Sequence, residues 1–143
     1  MAPDVDVIGF RFGVRYGDML GHRGLTHSVL FAVVLSGIAT AAIYGQERLM
    51  RWRILWLYLF LATISHGVLD AFTDGGLGVA FFAPFVSTRY FSPWTPIEVS
   101  PIGSGFFSAT GLRVLLNEAI WIWTPSLIFA IAMWLRRERR TTN

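Results

Sequence analysis

The stretch Ser28-Val29-Leu30-Phe31-Ala32-Val33-Val34-Leu35-Ser36-Gly37-Ile38-Ala39-Thr40-Ala41-Ala42-Ile43-Tyr44-Gly45-Gln46 runs for nineteen residues without a charged side chain. It lacks the polar face that an amphipathic soluble helix needs. A helix crosses the roughly 30 Å hydrocarbon core of a bilayer with about 20 predominantly apolar residues, and about 17 is the lower limit. The stretch therefore reads as a short membrane span, and two others accompany it. Ile54 to Leu69 gives sixteen residues, interrupted mainly by Ser65 and His66. Ala119 to Leu135 gives seventeen, and reaching back to Val114 adds a turn that includes Glu118. The expected fold is all-α: one polytopic helical membrane bundle over residues 1–143 with three transmembrane helices.

Composition agrees. The 143 residues are 54% hydrophobic and only 15% charged, and they include 12 Phe, 6 Trp and 4 Tyr. Average soluble domains are about 45–50% apolar and about 25% charged. Cysteine is absent, which excludes disulfide scaffolds, thiolate zinc sites and cysteine nucleophiles. All 12 basic residues are arginine, so lysine chemistry is excluded as well.

A net charge of +3 could suggest nucleic acid, but the arginines border apolar runs instead of lining a polar helix. No nucleic-acid partner is expected. Arg48, Arg51 and Arg53 precede the second span, and Arg136, Arg137, Arg139 and Arg140 follow the third. By the positive-inside rule, loop 47–53 and the C-terminal tail 136–143 are cytoplasmic. Residues 1–27 and about 70–113 then fall on the extracytoplasmic side. The glycines and prolines of 75–113 preclude a long helix before about Ser104. Apolar Val79 to Ala83 within it suits a re-entrant or interfacial segment, with Tyr90, Phe91 and Trp94 at headgroup depth.

Ionisable residues at the end of a membrane span mark function by default. His66 and Asp70 are four apart and share one helical face, which Asp74 would continue a turn later. His22-Arg23-Gly24-Leu25-Thr26-His27-Ser28 leads into the first span, with Thr26 as the expected N-cap and His27 on the first turn. Asp4-Val5-Asp6 reads as an extended stretch whose carboxylates face the same way. Asp4, Asp6, His22, His27, His66 and Asp70 are thus six candidate ligands, enough for three each on two ions. Imidazole and carboxylate without thiolate suit Zn²⁺ first, then Mn²⁺ or Fe²⁺. Alternatively, Asp70 could simply orient His66, or the polar pairs could satisfy one another within a bundle. Arg23 is a candidate phosphate clamp or a salt-bridge partner of Asp18 or Asp4. Asp74 and Glu118 are candidate general bases, Glu118 otherwise a seventh ligand or a partner for Arg113, and Arg89 is a second candidate clamp expected rather to reach the headgroups.

Pro3-Asp4-Val5-Asp6, the His22–Ser28 segment, His66-Gly67-Val68-Leu69-Asp70-Ala71-Phe72-Thr73, Pro84-Phe85 and Arg89-Tyr90-Phe91-Ser92-Pro93-Trp94-Thr95-Pro96-Ile97 together resemble the YdjM-type family of membrane-bound metal-dependent hydrolases. The resemblance covers about residues 3–97. It implies a small multi-pass inner-membrane protein, linked in some members' names to LexA control, whose acidic and histidine residues bind metal. Family members usually carry an apolar helix before Pro-Asp-x-Asp, whereas Met1-Ala2 precede it here, so a preceding first helix is expected to be missing. The expected function is hydrolysis of an ester or phosphoester on a lipid-like substrate at the outer membrane face. The alternatives are a structural metal or His–carboxylate cluster in a non-enzymatic membrane protein and, third, a small metal or proton transporter.

Overall fold

The first two apolar runs fold as helices α1, Val29–Tyr44, and α2, Leu49–Ala71. The third folds as α3, Ala109–Glu118, a π-helical turn at Ala119–Trp123, and α4, Thr124–Thr141. The computed structural model describes residues 2–44, 49–101 and 103–141. The chain divides into two units, Met1–Thr95 and Pro96–Asn143.

Among the described residues, two helical stretches are long and apolar enough to cross a membrane, Arg51–Ala71 with 21 residues and Ala109–Arg139 with 31. At 1.5 Å per residue the first of these is about 31 Å long, matching the hydrocarbon core. The expected first span is the shorter apolar helix, 16 residues or about 24 Å. Arg51 and Arg53, expected in a loop, ride the first turns of α2, because helix geometry takes hold at Leu49. Arg48 and the remainder of 45–48 lie outside the described residues. The expected tail is helical as well, since α4 continues to Thr141.

What holds α1 to α2 is a seam of small residues. Ser28, Ala32, Ser36 and Thr40 recur every fourth position and are all buried, whereas Val34, Ile38 and Ile43 stay exposed. Lipid is as apolar as leucine, so membrane helices gain by close backbone approach along such a stripe. Thr40 donates to the Ser36 carbonyl at 2.7 Å, which spares its hydroxyl an unmade bond. Helix α1 is capped by Ser28, whose Oγ accepts from Phe31 N–H at 3.0 Å. Thr26, the expected cap, lies on a preceding 3₁₀ turn, Leu25–His27, which also takes His27 off the first α-helical turn.

Segment 75–95 is anchored at a few positions, while Phe82, Phe85, Tyr90, Phe91 and Trp94 stay exposed. Val79, Ala80 and Ala83 are buried, and Val79 forms an isolated antiparallel bridge with Tyr90. Val29 N–H donates to the Phe81 carbonyl and Ala80 N–H to the Arg23 carbonyl, binding the segment to the start of α1. Arg89 also faces inward. Its guanidinium donates to the carbonyls of His22, Gly78, Tyr16 and Asp18 instead of reaching headgroups.

In the second unit, Pro125 has no N–H to give the Trp121 carbonyl, and the helix widens into its π turn immediately before it. Thr124 Oγ1 donates to the Ala119 carbonyl at 2.7 Å within that turn. Asn117 clasps the preceding loop, accepting from Glu98 N–H and donating to the Pro96 carbonyl.

Candidate metal centre

Pro3–Phe12 is a 3₁₀ helix, not the extended stretch expected from Asp4-Val5-Asp6. With three residues per turn, Asp4 and Asp6 project about 120° apart instead of side by side. That single difference sorts the six expected ligands into two groups. Asp4, His27, His66 and Asp70 form one; Asp6, His22 and His27 form the other. His27 belongs to both, with Nε2 in the first and Nδ1 in the second.

The first group is assembled from the N-terminal 3₁₀ helix, the turn before α1, and the last two turns of α2. Gly67 makes the approach possible, since a Cβ there would lie 3.1 Å from the His27 carbonyl oxygen. His66 Nε2 is 3.0 Å from Asp4 Oδ1 and 3.6 Å from Asp70 Oδ2. His27 Nε2 is 3.5 Å from Asp4 Oδ1 and 3.2 Å from Asp70 Oδ2. Bonds of 2.0–2.1 Å to a tetrahedral Zn²⁺ imply ligand–ligand edges of about 3.3–3.4 Å. The four separations straddle that value.

Their hydrogen bonding also fits a cation. His27 Nε2 and Asp70 Oδ2 are buried without a hydrogen-bond partner, although they are neighbours. Leaving such groups unmade costs about 1–3 kcal/mol each, more when charged. Two imidazole nitrogens and two carboxylate oxygens are a donor set that Zn²⁺, Mn²⁺ or Fe²⁺ accepts. The residues present therefore fit a divalent ion.

In the second group, His22 Nδ1 lies 2.8 Å from Asp6 Oδ1 in hydrogen-bond geometry. Thr26 Oγ1 donates to Asp6 Oδ2 and lies 3.0 Å from His27 Nδ1. Electrostatics follow the geometry. Burial works against the charged ring of His27, but Asp4, Asp6 and Asp70 around it outweigh that and push it up to about 10 in metal-free protein. Burial likewise opposes ionisation of Asp4 and Asp6. The His27 ring beside both, with hydrogen bonds from His66 to Asp4 and from His22 and Thr26 to Asp6, holds both carboxyls below their usual range.

The YdjM inner membrane protein family matches this chain over residues 1–140. The chain belongs to that family. The inner membrane protein YbcI of Escherichia coli (strain K12) is 38% identical over 141 residues, which cover 96% of this chain and 80% of the relative. No solved structure matches. Family membership makes this a multi-pass inner-membrane protein, in keeping with its long apolar helices.

The remaining expected site residues of this YdjM-family chain fall elsewhere. Asp74 does not continue the face of His66 and Asp70. Helix α2 ends at Ala71, and Asp74 is exposed in the turn beyond it, just before Gly76 with a φ of +86°. A Cβ at Gly76 would also meet the Tyr16 hydroxyl, so the turn depends on glycine twice over. Arg23 is buried, with both Nη nitrogens engaged and Nε left without a hydrogen-bond partner. Nη2 pairs with Asp70 Oδ1 at 3.2 Å, while Nη1 donates to Thr73 Oγ1 and to the carbonyls of Gly75 and Asp70. A buried guanidinium spent on Asp70 leaves no fork for a phosphate, and its salt-bridge partner is neither Asp18 nor Asp4. Glu118, half-buried at the end of α3, belongs to the second unit. Arg113, its expected partner, pairs with Glu98 at 3.0 Å instead. Sequence reading missed Thr26 as a hydrogen-bond partner of Asp6; its place beside His27 was the available signal.

Proposed function

We propose that this protein is a membrane-bound metal-dependent hydrolase of an ester or phosphoester carried on a lipid-like molecule. The observation that carries the reading is the buried, hydrogen-bond-deficient contact of His27 Nε2 with Asp70 Oδ2, flanked by Asp4 and His66 at ligand spacing. Bound there, a divalent ion supplies an acidified water nucleophile at neutral pH and positive charge for the developing oxyanion.

The chain's own residues do the rest. Arg23 fixes one oxygen of Asp70 and leaves the other facing His27. Asp4 is the most exposed of the four, at 32% of its side chain, and marks the side from which substrate approaches. Asp74, exposed in the turn four residues beyond Asp70, is the base we propose for the attacking water.

We read α1, α2 and the α3–α4 stretch as three spans with the centre at the extracytoplasmic headgroup level. Arg51 and His66 lie on one helix, about 22 Å apart along its axis, a separation that supports arginines and ligands towards opposite membrane faces. The lipid-like substrate follows from that depth. Clustering at one end of α2 counts against a transporter, which needs ionisable residues near the midplane of several spans.

A second reading is a structural staple, favoured by the number four. Four protein ligands from three segments can close a tetrahedral shell and leave no open position. Metal analysis of the full chain purified in detergent, followed by a phosphoester and lipid-ester screen, separates the two. Chelator-sensitive hydrolysis supports the hydrolase; bound metal with no turnover on either substrate class replaces it with the staple.

A further inference from the structure

We infer that the centre holds one ion, and that Asp6 is a positioning residue that aims His27 at it, steadied in turn by His22. The inference rests on the metal reading above and decides between two arrangements that the six ligand-type residues alone leave open.

Three observations separate the groups. First, His22 Nδ1 and Asp6 Oδ1 are hydrogen-bonded at 2.8 Å, closer than any pair of the other group, whose shortest is the His66 Nε2–Asp4 Oδ1 hydrogen bond at 3.0 Å. Second, both Asp6 oxygens are already used: Oδ1 by His22, and Oδ2 by Thr26 and by His27 Nδ1 at 3.3 Å. Among the described ligand-type side chains, the buried atoms without a hydrogen-bond partner are His27 Nε2 and Asp70 Oδ2, both in the other group. Third, the donors along the chain have one consistent order. Thr26 gives its hydroxyl hydrogen to Asp6, so the ring nitrogen beside it, His27 Nδ1, carries a hydrogen and donates. In the neutral ring that leaves Nε2 as the lone-pair nitrogen, facing Asp4 and Asp70.

The arrangement is a carboxylate–histidine–metal relay of orientation. Such outer partners fix ring angle and tautomer, and removing one typically weakens metal affinity about 10–100-fold. His22 holds the far oxygen of Asp6, and Arg89 holds the His22 carbonyl at 3.0 Å, so the support reaches back to the 75–95 segment.

The test is titration of Zn²⁺ into chelator-stripped full-length protein in detergent, with Co²⁺ absorption as a report on ligand type. One Zn²⁺ per chain is expected for the wild type and for His22→Ala. Asp6→Ala should bind about 10–100-fold more weakly. Asp6→Asn, which can still accept from His27, should recover most of that affinity and keep the wild-type Co²⁺ bands. Two Zn²⁺ per wild-type chain, falling to one in His22→Ala, would overturn the single-ion inference while leaving the metal reading intact. Shifted Co²⁺ bands in Asp6→Asn would make Asp6 a ligand and overturn its positioning role. Absence of Zn²⁺ binding by the wild type would overturn both readings. If Asp6→Ala fails to accumulate, the wild-type and His22→Ala stoichiometries still decide.

Discussion

Arg23 and Asp70 meet through Nη2 and Oδ1 at 3.2 Å, the guanidinium only 4% exposed and the carboxylate 15%. The pair joins the loop before α1 to the end of α2, so it acts on both the fold and the centre. Removing one partner of a buried pair costs about 3–5 kcal/mol, because the other charge is left without compensation. Arg23→Ala should therefore lower thermal stability in detergent and weaken Zn²⁺ binding by freeing Asp70 to rotate. Arg23→Lys keeps the charge but loses the fork that also reaches Thr73 and Gly75, and should fall between the two. Wild-type affinity in Arg23→Ala would show that Asp70 needs no such support.

Metal uptake should depend steeply on pH. His27 is raised above its ordinary value to about 10 in metal-free protein, so its ring is charged at neutral pH. Its contribution to metal-free stability is full below the unfolded value of about 6.5 and is lost as pH rises towards 10. Metal binds the neutral ring, so binding displaces about one proton and affinity should tighten about tenfold per pH unit between pH 7 and 9. Calorimetry in buffers of different ionisation enthalpy counts that proton directly.

The small-residue seam predicts an asymmetry within α1. Ser36→Leu or Thr40→Leu overfills a buried contact and should destabilise by about 1–3 kcal/mol. Ile38→Leu, on the exposed side, should change unfolding by under about 0.5 kcal/mol. Equal effects on both faces would mean that α1 and α2 do not pack along this stripe.

Gly67 offers a test of the close approach at the centre. A Cβ there meets the His27 carbonyl oxygen at 3.1 Å and the side chains of Phe81 and Val79 beyond it. Gly67→Val should push α2 from the turn carrying His27, and Zn²⁺ affinity should fall while membrane insertion persists. Fractionation and metal titration of the same preparation check both halves.

Much of this was legible in the sequence. Uncharged runs and flanking arginines marked the apolar helices, and the i, i+4 spacing of His66 and Asp70 placed them on one face. The convergence of His27 with that pair was expected because all three histidines fall at the same end of the apolar segments. The partition of Asp4 from Asp6 was hidden, because it depends on whether two carboxylates two residues apart sit on a strand or a 3₁₀ helix. Nothing local decides that; tertiary contacts to His27 and His66 do. The roles of Arg23 and Arg89 were equally out of reach. All but one of their partners, Gly78, lie 47 to 73 residues away, and a guanidinium's use is set by which carbonyls the fold leaves for it. Asp74 would share the face of His66 and Asp70 only in a helix running past Ala71, and Gly75 and Gly76 are the stop signal that ends it sooner.

The account stands on Asp4, His27, His66 and Asp70 acting together on one divalent ion. The most direct measurement is the metal content of the full chain purified in detergent, beside His66→Ala and Asp70→Ala prepared identically. An equimolar divalent metal in the wild type, lost from both variants while membrane insertion is retained, is the predicted result. A metal-free wild type, or variants whose metal content is unchanged, would contradict the account.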